Sequence, residues 1–410
     1  MRERRIYLDN AATSFPKPEA VHDAMARYAH DLGASPGRGA YRESQESARL
    51  LNRCRERIAQ LINLDAPENV VFTLNTSDAL NLAIRGTLEP HIHAHLTNGT
   101  AKPHVVTTWL DHNSILRPLN ELQRRGLIEQ TRVRCDPVSG LVDPARIRNA
   151  ITPATALVAT VHASNVSGTV QPVACIAKIC RERNVLLAID AAQSLGHRRV
   201  DMQELGVDLL AAPGHKGLLG PLGTGFLAIR PGVERLLWTV REGGTGSVSE
   251  RDTQPTTMPD RFEAGSHNAI GIIGLSEGVA HILETGIDAI ESRERELTHL
   301  MLDELHHIEG VRLIGPPAHE HRVGVFSLCI DGLTSHEAAS ELEQRSGVLA
   351  RAGLHCAPLA HRTFGTLTDE NEGTDRAGTV RLSIGAFTTG ADIHAAAHAL
   401  GRLSRLTNNV

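Results

Sequence analysis

The chain has 410 residues, 41% hydrophobic and 22% charged, with a formal net charge of -5. That length suits one large domain plus a smaller one, and the composition is that of an ordinary globular protein. The negative balance gives no basic footprint for nucleic acid, and 3% aromatics leave little for stacking platforms.

The N-terminus, "MRERRIYLDN", is charged and lacks the apolar core of a signal peptide. No apolar run nears the roughly 18–20 residues needed to span a bilayer. A soluble, cytoplasmic protein is therefore expected, with no membrane partner. The six cysteines (Cys54, Cys135, Cys175, Cys180, Cys329 and Cys356) form no CxxC pair and read as free thiols.

Along the chain, short β-branched runs stop at small polar clusters. "NVVFTL" leads into "NTSDALNLAIRG", "HVVTTW" into "LDHNS", and "ALVATV" into "HASNVSGT". "VLLAID" leads into "AAQS", and "DLLAA" into "PGHKG". Helical stretches such as "PVACIAKICRERN" lie between them, the pattern of a parallel α/β sheet. Ligands in such sheets sit beyond the carboxyl ends of the strands. Thr76, Ser77, His112, Asn165, Asp190, Gln193, His215 and Lys216 are thus expected in one crevice.

From about residue 265 the character changes. "GIDAIESRERELTHLMLDELHHI" predicts a long amphipathic helix. "VRLIGPP", "RVGVFSLCIDG", "TSHEAASELEQRSG" and "TVRLSIGAFTT" predict alternating strands and helices of a smaller α+β unit. The expected division is a large domain over 18–265 and a small one made of 1–17 and 266–410.

The chemistry-bearing motifs each admit a plain reading too. Asn75, Thr76 and Ser77 at a helix start cap the helix or hold a phosphate. Asp190, ending an apolar strand, caps a turn or meets a positive partner such as a protonated pyridine nitrogen. Lys216, among glycines and apolar residues, snorkels to solvent or is a desolvated amine with a lowered pKa. Its glycine neighbours are expected to leave room for a cofactor. Cys356 is expected on a loop, where His355, His361 and Arg351 as positive neighbours favour its thiolate. Arg381 on a strand offers a fork for a carboxylate. The "HIHAH" stretch with His104 reads as a solvated loop, and Cys175 and Cys180 as core residues of a helix. "GPLGTG" matches neither dinucleotide nor P-loop fingerprints.

Taken in order, "DNAATS", "PGRGAYRES", "LDHNSILRPL", "HASNVSGT", "IDAAQS", "GHKGLLGPLGTGFL", "DRFEAGSHNAIGIIGL" and "RAGLHCAPLAHRTFGT" resemble the cysteine desulfurases of the class V aminotransferase group. These are fold type I enzymes dependent on pyridoxal 5'-phosphate. The resemblance implies a three-layer αβα large domain with a mostly parallel sheet and a smaller α+β C-terminal domain. It implies a Schiff base on Lys216, Asp190 facing the pyridine nitrogen, and Gln193 on the phenolic oxygen. His112 would stack on the ring and handle the thiol proton. Thr76, Ser77 and His215 would hold the phosphate, joined by Ser266 of the other subunit of a homodimer. Asn165, Arg381 and Arg351 would bind the substrate carboxylate. Cys356 would take sulfur from L-cysteine as a persulfide, leaving L-alanine, for a sulfur-acceptor protein such as one of iron–sulfur cluster assembly. A selenocysteine lyase, or another lyase or epimerase of the group, is the alternative. Three positions depart from relatives: Pro213 where a serine is frequent, Asn75 where small residues are usual, and the missing histidine before "GRG".

Overall fold

The computed structural model describes residues 5–37 and 39–408, so Arg38 of the "PGRG" motif lies outside the described residues. Strands β1 (Ile6–Tyr7), β2 (Val70–Thr73), β3 (His104–Thr108), β4 (Glu129–Val133), β5 (Thr155–Val161), β6 (Leu186–Asp190), β7 (Leu209–Pro213) and β8 (Gly225–Ile229) come first. They are followed by β9 (Val311–Ile314), β10 (Val325–Ile330), β11 (Val348–Leu349), β12 (Arg351–Gly353) and β13 (Thr379–Ser383).

Seven strands form the main sheet in the order β2-β8-β7-β6-β5-β3-β4. Strands β3 to β7 pair in parallel, and only β8 runs against them, between β7 and β2. Two reversals restore direction, so β2 points the same way as β7. All five strands read from the sequence therefore end at one edge. Why they read as unbroken apolar runs is visible in the packing, because both faces are covered. Val106, Val158, Leu210 and Ala212 enter one core with the helices Arg42–Ile62, Val173–Glu182 and Ala269–Thr285. Their chain neighbours Val105, Leu157, Leu209 and Ala211 enter the other, with Thr76–Asn98 and Asn113–Arg124. Each fully buried Val or Leu contributes about 1.5–3 kcal/mol. The result is the expected three-layer αβα architecture. Edge strand β4 instead alternates exposed and covered positions, as an edge requires.

A four-stranded antiparallel sheet, β12-β13-β10-β9, and the two-stranded β1-β11 make the smaller unit. Its separate core joins Phe326, Leu328, Val380 and Leu382 to the helices Ile287–His306, Ser335–Ser346 and Gly390–Asn408. Ile6 and Leu8, from the opposite end of the chain, are buried in the same core. One helix departs from the expected division. Ala269–Thr285, placed with the small domain, buries Ile272, Ile273, Leu275, Val279 and Ile282 in the large core. It is apolar nearly all round because it is enclosed, and the cores change hands within the next helix, between Ile290 and Leu297. Among the described residues, no single helix is long and apolar enough to cross a membrane.

Candidate active site

The shared strand edge holds a cavity of about 220 Å³ lined by Thr76, Ser77, His112, Asn165, Asp190, Gln193, His215 and Lys216. All eight residues expected at the strand ends are therefore brought together. Asn75 caps the helix Thr76–Asn98 by accepting from the Asp78 N–H at 3.0 Å, so the first helical N–H groups open on the cavity edge. His112 caps Asn113–Arg124 through Nδ1, which accepts from the Ser114 N–H at 3.1 Å. Burial, aided by Lys216 and Arg351, pushes the His112 pKa down to about 4. The ring is therefore neutral, and a Nδ1 that accepts leaves the proton on Nε2. His112 offers a donor to the cavity rather than a free lone pair, which changes its expected part in taking the thiol proton.

Asp190 is buried at the end of β6 and accepts from the Ala192 N–H at 2.9 Å. Burial raises its pKa, while that N–H and the charge of Lys216 hold the rise back. Gln193 donates to the Ala11 carbonyl at 2.9 Å, tying this strand end to the N-terminal segment.

The lysine turn is gripped from outside. The His215 carbonyl accepts from the Ser14 N–H at 3.0 Å, from the Thr13 hydroxyl at 3.0 Å and from Lys17 Nζ at 2.9 Å. The Ser14 hydroxyl also donates to the Lys216 carbonyl at 2.9 Å. Lys216 itself is half-buried, and desolvation lowers its pKa to about 8, with Asp190 opposing. Gly217 has another purpose than leaving room for a ligand. A Cβ there would stand 2.3 Å from the Leu195 carbonyl, so the turn packs on its own chain.

Cys356 is exposed, on the loop between β12 and the helix Pro358–Thr363, as expected. His355 and Cys356 both adopt left-handed backbone, φ 49° and 58°, which costs about 1–2 kcal/mol per residue. The loop is docked on the cavity by its carbonyls. Cys356 accepts from the Asn113 N–H at 2.8 Å, and His355 accepts from Asn165 Nδ2 at 2.6 Å. Two of the three expected positive neighbours, His355 and His361, are not positive. His355 and His361 are buried, and burial holds both rings neutral, His361 at about 4. Arg351 is exposed, and its charge is felt at Lys216 and His112.

Arg381 is buried on β13. It donates to Asp9 at 3.0 Å and to the Asn165 carbonyl at 3.1 Å, and its Nε has no partner among the described residues. Ser266 is exposed and does not line this cavity. Two participants were not singled out. Ser114 lines the cavity and joins Ser77 to His112 through hydroxyl contacts of 2.6 and 2.9 Å. Asp9 neutralises Arg381 across 372 residues of chain. Ser114 had a signal, lying two residues after His112; Asp9 had only its place in "LDNAATS".

Other expectations fall elsewhere. His91, His93 and His95 lie in the helix Thr76–Asn98, which runs through Pro90, not in a loop. Among the described residues no group of three or more His, Cys, Asp or Glu side chains is placed to hold a metal. Cys180 is buried as expected, but Cys175 is exposed, and all six cysteines are free.

The class-V aminotransferase family model matches residues 6–395. The chain belongs to the class-V aminotransferases. A family member from Methanothermobacter thermautotrophicus, named a probable cysteine desulfurase, is 35% identical over 390 residues, covering 95% of this chain and 92% of the relative. Another so named, from Pyrococcus abyssi, is 36% identical over 356 residues, 86% and 85% of the two chains. The solved apo cysteine desulfurase of Thermococcus onnurineus superposes with a TM-score of 0.87 at 31% identity, covering 99% of this chain and 95% of that one.

The family implies pyridoxal 5'-phosphate, and the cavity fits it. His215 Nδ1 is buried without a partner among the described residues, in a wall that also carries the open helix start at Thr76. An anion there would satisfy both. The Asp190 carboxylate and Lys216 line the same cavity.

Proposed function

We propose that this chain is a cysteine desulfurase: it removes sulfur from L-cysteine, keeps it as a persulfide on Cys356, and releases L-alanine. One observation carries the reading. The Cys356 carbonyl is bonded to the first N–H after His112, so the one thiol on this loop is anchored at the rim of the Lys216 cavity.

Lys216 would hold pyridoxal 5'-phosphate as a Schiff base, with Asp190 at its pyridine nitrogen, Gln193 at its phenolic oxygen, and Thr76, Ser77 and His215 at its phosphate. When bound, the cofactor supplies an electron sink for negative charge developing at the substrate Cα. The chain's own groups do the rest. Arg381 and the remaining N–H of Asn165 receive the substrate carboxylate, with Arg351 at the rim. Lys216 Nζ takes the Cα proton, and its lowered pKa leaves about a tenth of the amine neutral at pH 7. His112 keeps a proton on Nε2 facing the cavity. The Cys356 thiolate attacks the substrate sulfur. The new S–S bond forms as the Cβ–S bond breaks, and the electrons of the broken bond stay with Cβ, which is then protonated. A thiol reductant or an acceptor protein discharges the persulfide.

The exposure of Ser266 supports a homodimer in which it reaches the partner's phosphate site, and six free thiols suit a cytoplasmic enzyme. The test is alanine and sulfide release from L-cysteine, with and without a reductant, beside Cys356→Ala. The variant is expected to lose at least about a hundredfold. Turnover of L-cysteine by Cys356→Ala at the unmodified rate would rule out the persulfide.

A further inference from the structure

Cys356 sits in a backbone conformation that needs support. Two successive non-glycine residues, His355 and Cys356, are left-handed, and such residues persist only where their surroundings over-determine them. Behind Cys356 the chain is anchored by packing, with Ala357, Ala360 and Phe364 buried in the large core, while His355 and Cys356 themselves have few supports. The His355 ring meets the Thr379 hydroxyl at 3.1 Å through Nε2 and lies against His361, centroids 5.5 Å apart. Neither His355 Nδ1 nor His361 Nε2 has a partner among the described residues, so the rings pack more than they bond. The carbonyls carry the bonds, to Asn113 N–H and to Asn165 Nδ2.

Asn165 differs from the other anchors. It belongs to the cavity wall, not to the loop's own sheet. It is itself held, because its carbonyl accepts from buried Arg381. Its orientation is fixed by chemistry: the His355 carbonyl only accepts, so the nitrogen of the amide must face it. Its Oδ1 is buried without a partner among the described residues, an arrangement that satisfies the loop ahead of the amide itself. The second N–H of Nδ2 remains for a ligand in the cavity.

We propose that Asn165 is the positioning residue of the sulfur-transfer step, its amide holding the His355 carbonyl and thereby fixing Cys356 over the cavity. This role is separate from any contact with a substrate carboxylate, and it rests on Cys356 being the sulfur-accepting thiol. One amide then couples the occupied cavity to the loop that must act on its contents.

The two roles come apart in measurement. Asn165→Asp keeps the size but replaces the donor with an acceptor facing a carbonyl. In the holoenzyme without L-cysteine, amide exchange in the peptide around residues 354–358 is expected to speed up at least tenfold. Exchange in β6 should stay within twofold. With L-cysteine, kcat is expected to fall at least tenfold beyond any rise in KM, because lost carboxylate binding acts on KM and lost thiol placement acts on kcat. Asn165→Ala gives the same reading if the aspartate variant does not fold, and Asn165→Gln, which restores a donor, should recover part of the exchange protection. Loop exchange within twofold of the unmodified enzyme in both variants overturns the proposal. So does a change confined to KM. The exchange measurement needs no turnover, so inactivity on L-cysteine would sink the functional reading, while the exchange data would still decide whether Asn165 holds the Cys356 loop.

Discussion

The two sides of the site are built on different principles. The Lys216 side is a product of topology. Five strands that point the same way deliver His112, Asn165, Asp190 and Lys216 to one edge, and two packed cores hold each strand in place. The Cys356 side is a strap from the smaller unit. Two of its carbonyls bond to the first side, Ala357, Ala360 and Phe364 just beyond Cys356 are buried in that side's core, and it carries two strained residues. A rigid wall suits a bound cofactor, whose anchoring groups must keep it in register with the lysine. A strap suits a group that must approach a substrate and then present its cargo elsewhere.

Variants that break the contrast should rank accordingly. Lys216→Ala removes both the tether and the base, so L-cysteine turnover should fall about 10³-fold or more, measured as alanine released. Asp190→Asn removes a buried charge aimed into the cavity and should cost about 10²–10³-fold in kcat with the cofactor still present by absorbance. A milder probe is pH. Only neutral Lys216 reacts with an aldehyde, and its amine is lowered to about 8. The rate at which cofactor-free protein takes up pyridoxal 5'-phosphate should rise about tenfold per pH unit below 8 and level off above it. Because Asp190 raises that pKa, Asp190→Asn should move the plateau to lower pH. A plateau above pH 10 would show the lysine to be solvated. Least affected should be Cys175→Ser: this thiol is exposed on the helix Val173–Glu182, and both turnover and stability should change little, by under about 0.5 kcal/mol in urea titration.

The rigid side was the legible one. Strands buried on both faces announce themselves as apolar runs, and the residue after each run is at the edge by construction. What escaped depended on distance or on enclosure. Strand β8 reverses inside a glycine-rich stretch that gives no alternation. The helix Ala269–Thr285 lacks a polar face, so its core could not be told from its pattern. The "HIHAH" stretch, near Asn98, Gly99 and Pro103, reads as a loop. The helix nevertheless continues through it, with Ile92 buried on the inner face. The contacts that seat the strap, Asn165 with His355 and Arg381 with Asp9, join residues 190 and 372 apart. No local pattern encodes such a pair. Sequence resemblance named the residues at the strap, but not what holds them there.

The grip of residues 13–17 on the lysine turn has a consequence for how the molecule comes into being. Ser14 and Lys216 are separated by 202 positions. A chain made from its N-terminus must carry residues 13–17 unpaired until the whole of the main sheet as far as β7 has been synthesised. The lysine turn then closes by joining an early segment to a late one, a ring closure whose entropic cost grows only slowly with length. The lysine turn is thus closed only after β3 to β7 have been made, while β8, which joins β7 to β2, still follows it in the chain. Loss of the first 17 residues would free the lysine turn, strip Ile6 and Leu8 from the smaller core and leave Arg381 without Asp9.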